Sequence, residues 1–155
     1  MIRLGSNGGL GDILYVDPTD RVIRMDGAEV YVNATDTVAN GTRDVCTARG
    51  LDLADVDLFV PHQANARIIR SVVHEPDLPP ERVVLTVGHV GNTSSSSIPL
   101  ALSQARQEGR LVPGTRVAMT AVGAGVTWGS ALVDWKGCAH QREASGPEAT
   151  APHGS

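Results

Sequence analysis

At 155 residues, with 41% hydrophobic and 19% charged, the chain is long enough to bury a real core and falls outside the disordered class. A net charge of −4 with only 3% aromatic residues excludes a nucleic-acid footprint, which needs a basic face interleaved with stacking rings. No window approaches a membrane span, and the opening Met-Ile-Arg-Leu-Gly-Ser lacks the layout of a secretory signal, so the expectation is a cytoplasmic protein without membrane contact.

Residues 1–16 read as a strand entered part-way, a glycine-rich loop and a second short strand, Ile13 to Val16. Arg21 to Met25 alternates like an edge strand. After the Asp26-Gly27 turn, Glu29 to Arg49 is expected to be helical, with Val38, Val45 and Cys46 on its inner face and Gly50 as its stop. Gly41 and several threonines weaken that helix, at up to about 1 kcal/mol each relative to alanine. Leu58-Phe59-Val60 is a buried strand, and the spacing predicts a helix from Ala64 to about His74, ended by Pro76.

A second strand is expected at 82–87, then a turn through Gly91-Asn92 and a helix from Thr93 to Glu108 that Gly109 stops. Pro99 lies too deep for that helix unless its true first turn starts near residue 97. Thr115 to Val122 is a third strand, Gly123-Ala124-Gly125 a turn and Val126 to Trp135 a fourth strand, the last two forming an antiparallel hairpin. From 137 to 155 the sequence turns to small and polar residues without apolar periodicity and reads as a disordered tail.

Candidate chemistry collects at three strand ends: His62, Asn92 and the 123–125 turn. If strands 58–60 and 83–87 are parallel neighbours, His62 and Asn92 converge on one crevice at the sheet's carboxyl edge. An imidazole N–H and a carboxamide N–H aimed at one point stabilise an oxygen gaining negative charge. The plainer alternatives are a hydrogen-bonded structural histidine and a helix-capping asparagine.

The glycine turn is no dinucleotide fingerprint, because Trp128 stands where the third glycine belongs, and Gly8-Gly9-Leu10-Gly11 lacks the Lys-Ser/Thr of a phosphate loop. Cys46 is assigned to core packing and Cys138 to the tail, and neither they nor His74 and His89 show metal-ligand spacing. Arg67 and Arg70, three apart, share a helix face that is either plain solvated surface or a dock for a phosphate or an acidic partner.

Three long motifs are more specific: Val-Pro-His-Gln-Ala-Asn-x-Arg-Ile-Ile at 60–69, Gly-Asn-Thr-Ser-x-x-Ser-Ile-Pro-x-Ala-Leu at 91–102 and Gly-x-Gly-x-Thr-Trp-Gly-Ser-Ala-Leu at 123–132. In this order and spacing, over roughly residues 1–135, the chain resembles β-ketoacyl-acyl carrier protein synthase III. The resemblance implies an α/β protein, the carboxyl-terminal half of a thiolase-like fold, with a mixed sheet and helices packed on it. It divides the chain into a truncated amino-terminal strand and loop region (1–28), a synthase III carboxyl-terminal domain (29–136) and the tail (137–155).

In that family a cysteine takes an acyl group from coenzyme A, and a histidine and an asparagine stabilise the enolate made when malonyl-carrier protein loses carbon dioxide. The resemblance puts those two roles on His62 and Asn92, and a backbone N–H for the thioester oxygen on Ala124. Contact with the carrier protein and its phosphopantetheine arm falls on Gln63, Ala64, Asn65, Ala66 and Arg67. No cofactor or metal is implied, only acyl-CoA and malonyl-carrier protein as substrates, in fatty-acid or polyketide-starter condensation.

Ala124 stands where the family usually has glycine, and alanine tolerates fewer backbone conformations. The family's cysteine belongs to the amino-terminal half, and neither Cys46 nor Cys138 matches its motif. The implied partners are therefore acyl carrier protein, an amino-terminal half and a second subunit of a dimer, packed on apolar faces that the chain leaves bare as a half enzyme. The alternatives are a non-catalytic module that binds carrier protein or synthase, and a non-functional truncated product.

Overall fold

The computed structural model describes residues 1–72 and 78–137. In chain order its elements are β1 (Ile2–Ser6), β2 (Leu14–Val16), β3 (Ile23–Met25), α1 (Gly27–Thr47), β4 (Leu58–Pro61), α2 (Ala66–Val72), α3 (Val87–Val90), α4 (Ser97–Gln107), β5 (Arg116–Gly123) and β6 (Thr127–Asp134), with short 3-10 turns between some of them. Four strands form a mixed sheet in the order β1-β6-β5-β4, and β2 and β3 form a separate antiparallel pair. β4 and β5 are parallel, whereas β5-β6 and β6-β1 are antiparallel. The α/β arrangement and the closing hairpin are those expected from the sequence.

β4 explains why its sequence is apolar without alternation. All four of its residues are buried, because helices cover both faces of the sheet. Phe59 points into a cluster with Val45 of α1, Ile69 of α2 and Leu132 of β6. Leu58 and Val60 point the other way, onto Ala101 and Ala105 of α4. Fully burying one such side chain contributes roughly 1.5–3 kcal/mol, so this short strand anchors both layers.

α1 begins at an N-cap, Asp26, whose carboxylate accepts from the Ala28 and Glu29 N–H groups. Its threonines do not break it. Thr35 and Thr42 donate their hydroxyls to the Tyr31 and Val38 carbonyls one turn back. Thr42 also meets Thr120 at 2.9 Å, and Thr120 in turn bonds Ser130, so a buried file of hydroxyls ties α1 to β5 and β6.

Helix ends shift by about two residues at α1 and at the start of α2, and two larger differences from expectation stand out. α4 starts at Ser97, which leaves Pro99 within the first turn, where the missing N–H has no helical acceptor to lose. The strand expected at 82–87 is reduced to one parallel bridge between Phe59 and Val83, with Val84 N–H donating to the Phe59 carbonyl. Beyond it the chain turns into α3, because the Gln63 side chain takes over the backbone groups a strand would have paired. Gln63 donates to the Val84 carbonyl and accepts from the Thr86 and Val87 N–H groups.

His74, Cys138 and the expected tail beyond residue 137 lie outside the described residues. Among the described residues no helix is long and apolar enough to cross a membrane.

Candidate active site

β4 ends at Pro61, and His62 continues the ladder by one step, its N–H donating to the Thr120 carbonyl of β5 at 2.8 Å. This backbone bond fixes where the ring leaves the sheet. Nδ1 of the ring lies 2.5 Å from the Ser97 hydroxyl at the head of α4, and the Gln63 N–H donates to the same hydroxyl at 3.2 Å. Burial holds the His62 pKa below the ordinary histidine value.

Asn92 follows Gly91, whose φ of 69° turns the chain out of α3. Its Oδ1 accepts from the Ser94 N–H at 2.9 Å, which fixes the carboxamide rotation and leaves Nδ2 without an acceptor among the described residues. Asn92 follows a helix and not the strand end expected from the sequence, whereas the turn Ala124–Val126 does follow a strand, β5. Ala124 opens this turn, so its N–H has no acceptor within it. The left-handed backbone falls on Gly125 (φ 70°) and Val126 (φ 40°), not on Ala124, so alanine is accommodated there without strain.

His62, Asn92 and Ala124 line one cleft of about 930 Å³. Its far wall comes from the β2-β3 pair and the first turns of α1, including Tyr15, Met25 and Tyr31. A shallower cavity of about 340 Å³, lined by Leu4 and Trp128 among others, shares His62, Ser94, Val122 and Gly123 with the cleft. The imidazole therefore stands between two openings. The His62 and Asn92 side chains are both held by hydrogen bonds on the sides away from the cleft, and N–H groups fixed in this way can receive an oxygen carrying negative charge.

The sequence profile of the 3-oxoacyl-[acyl-carrier-protein (ACP)] synthase III C-terminal family matches residues 46–135. The chain belongs to that family. It is 47% identical over 135 residues to beta-ketoacyl-[acyl-carrier-protein] synthase III 2 of Streptomyces coelicolor, covering 87% of this chain and 41% of that protein. It is also 47% identical over 137 residues to the synthase III of Granulibacter bethesdensis, covering 84% and 42%.

Among solved structures, 3-oxoacyl-(acyl carrier protein) synthase III of Pseudomonas aeruginosa superposes with a TM-score of 0.84 at 37% identity, covering 88% of this chain and 45% of that one. The priming β-ketosynthase of the R1128 polyketide pathway gives 0.79 at 30% identity, covering 87% and 44%. The chain thus spans less than half the length of these relatives and carries the carboxyl-terminal part of their thiolase-like fold.

As a member of the synthase III family, the chain distributes the remaining candidate residues unevenly. Ala64, Asn65 and Arg67 line the cleft with His62. Asn65 also accepts from the Arg67 N–H at the head of α2, and the Arg67 guanidinium sits 4.8 Å over the Tyr31 ring. Gln63 is turned away. It is 0% exposed, and its side chain is spent on the Pro61 and Val84 carbonyls and the Thr86 and Val87 N–H groups, so it shapes the fold beneath the cleft. Ala66 is not among the residues that line the cleft.

Cys46 is buried in the core cluster away from the cleft. Burial, and after it the nearby Asp55 carboxylate, push its thiol pKa up. Sequence reasoning missed Ser97 and Tyr31. Ser97 lies inside the 91–102 motif, so its pattern was visible, but only the fold brings it to the imidazole.

Proposed function

We propose that the chain is the carboxyl-terminal half of a β-ketoacyl-acyl carrier protein synthase III-type acyltransferase, and that it supplies the decarboxylation and condensation donors. Malonyl-carrier protein loses carbon dioxide and leaves an enolate. His62 and Asn92 donate hydrogen bonds to the enolate oxygen as its negative charge grows. The enolate carbon then attacks an acyl thioester on a cysteine, a carbon–carbon bond forms, and the thiolate leaves. The Ala124 N–H receives the oxyanion of that tetrahedral step.

One observation carries this reading: His62, Asn92 and the Ala124 turn open on one cleft, with both side-chain donors tethered from behind. Cys46 is buried away from the cleft and its thiolate is disfavoured, so the nucleophilic cysteine is assigned to an amino-terminal half. Apolar residues left exposed, among them Leu4 at 82% and Ile23 at 68%, suit packing against that half or a second subunit. Arg67 at the cleft rim suits the acidic carrier protein and the phosphate of its arm. The proposed setting is the cytoplasm, in fatty-acid or polyketide-starter synthesis.

Reconstitution with the cysteine-bearing half of a relative tests the reading. Condensation of acetyl-CoA with malonyl-carrier protein is expected, and His62→Ala or Asn92→Ala should each lower it by about 10²–10³-fold, the usual cost of one oxyanion donor. Undiminished condensation by both variants overturns it.

A further inference from the structure

We propose that Ser97 is the positioning residue for His62: its hydroxyl donates to Nδ1, which locks the imidazole in the Nε2–H tautomer and turns that N–H toward the cleft. The inference rests on the proposed function only for the use of the N–H. The tautomer itself follows from hydrogen-bond accounting.

Ser97 is 1% exposed, so its hydroxyl proton needs an acceptor within the protein. Among the described residues the hydroxyl has two hydrogen-bonding neighbours. The Gln63 N–H is a donor and occupies one lone pair, so the Ser97 proton cannot go there. His62 Nδ1, at 2.5 Å, is the remaining partner among the described residues. If Nδ1 carried the ring proton, the Ser97 hydroxyl would accept twice and bury its own proton unpaired, at a cost that native interiors avoid.

Donation to Nδ1 satisfies every group. Gln63 N–H, Ser97 O–H and His62 then form a file of donors running in one direction, each polarising the next. The ring proton is left on Nε2, on the side away from Ser97. The neighbourhood agrees: a half-buried ring at the head of α4 favours the neutral imidazole, and a neutral ring has one donor nitrogen only.

Ser97 thereby sets what His62 is able to do. A ring protonated at Nδ1 would present a lone pair to the cleft and repel a developing oxyanion. The Gln63 clamp supports the same device, because the side chain that holds 84–87 also fixes the peptide whose N–H engages Ser97.

Two- and three-bond ¹⁵N–¹H correlation spectra of the imidazoles test this on the full chain at mildly alkaline pH, with His62→Ala identifying the His62 signals. The wild-type His62 ring is expected to show a protonated Nε2 and an unprotonated Nδ1. Ser97→Ala should lower the Nε2–H to Nδ1–H ratio by about fivefold, the effect of one modest hydrogen bond, and Ser97→Thr, which keeps the hydroxyl, should restore it. A wild-type ring protonated at Nδ1 overturns the proposal without any variant, so misfolding of Ser97→Ala does not protect it. An unchanged ratio in folded Ser97→Ala overturns it as well. None of these spectra reads turnover, so they separate failure of this inference from failure of the condensation reading, which the His62→Ala assay decides.

Discussion

Gly41 of α1 approaches Ser130 of β6 so closely that a Cβ placed on the glycine would stand 2.4 Å from the serine Oγ. The glycine that weakens the helix on propensity grounds is therefore what lets it lie on the sheet. Ser130 is not free to yield, because its hydroxyl accepts from Thr120 in the buried file that also holds Thr42.

Gly41→Ala is accordingly expected to destabilise the fold by about 1–3 kcal/mol through overpacking, although the same change in an open helix would stabilise it by about 1 kcal/mol. Ser130→Ala in the same chain should recover part of the loss, since the serine Cβ lies 3.5 Å from the added methyl, an ordinary contact. Urea unfolding of the two single variants and the double variant reads the coupling. Simple additivity would falsify the close-approach account.

Gln63→Leu removes four hydrogen bonds at a position with no exposure. Two carbonyls and two N–H groups are left to find other partners, at about 1–3 kcal/mol for each that stays buried and unpaired. The expected outcome is a loss of roughly 3 kcal/mol or more in urea, with amide exchange at Thr86 and Val87 accelerated beyond that of β5. If those two amides keep wild-type protection relative to β5, the clamp is not what holds the 84–87 segment.

That clamp also marks where sequence reading reached its limit. Residues 82–87 have the β-branched alternation of a strand, and local pattern cannot reveal that a glutamine some twenty positions earlier has its side chain in the place of a neighbouring strand. Elements whose signal is local were legible. The turn at Asp26-Gly27 that precedes α1, the unbroken apolar run of β4 and the 115–135 hairpin all carry their cause within a few residues. His62 was legible as a strand-end residue, whereas Asn92 follows α3 and not the expected strand; the family motifs implied roles for both. Ser97 was visible only as a letter in a motif, because its meaning depends on a contact spanning 35 positions. The left-handed backbone at Val126 ran against side-chain preference, since β-branched residues avoid positive φ, and no sequence rule would have placed it one step past Gly125.

Thr86 is expected to behave in the opposite way to Gln63. Its hydroxyl is buried without a hydrogen-bond partner among the described residues, although its N–H is held by Gln63. Thr86→Val keeps the shape and removes the unpaired group, so a gain of about 1 kcal/mol is expected. Thermal and urea unfolding of the chain should both register it. A loss of stability would mean that the hydroxyl has a partner, such as bound water.

The pH dependence of stability follows from His62. Its folded pKa lies below the ordinary value because burial disfavours the imidazolium, so between the two pKa values the unfolded chain binds more protons than the folded one. Stability must then rise with pH across that window and fall as acid is added, beginning near the unfolded value of about 6.5 and levelling off below the folded pKa. The group is only partly buried, so its share is modest beside that of the carboxylates, and comparison with a variant isolates it. His62→Gln keeps a polar side chain but cannot titrate. Relative to that variant, wild type is expected to lose stability steadily as pH drops from about 7 through the histidine range, as measured by urea midpoints at closely spaced pH. Curves that stay parallel throughout would show that the folded and unfolded rings titrate alike, and that the pocket around Ser97 does not favour the neutral imidazole.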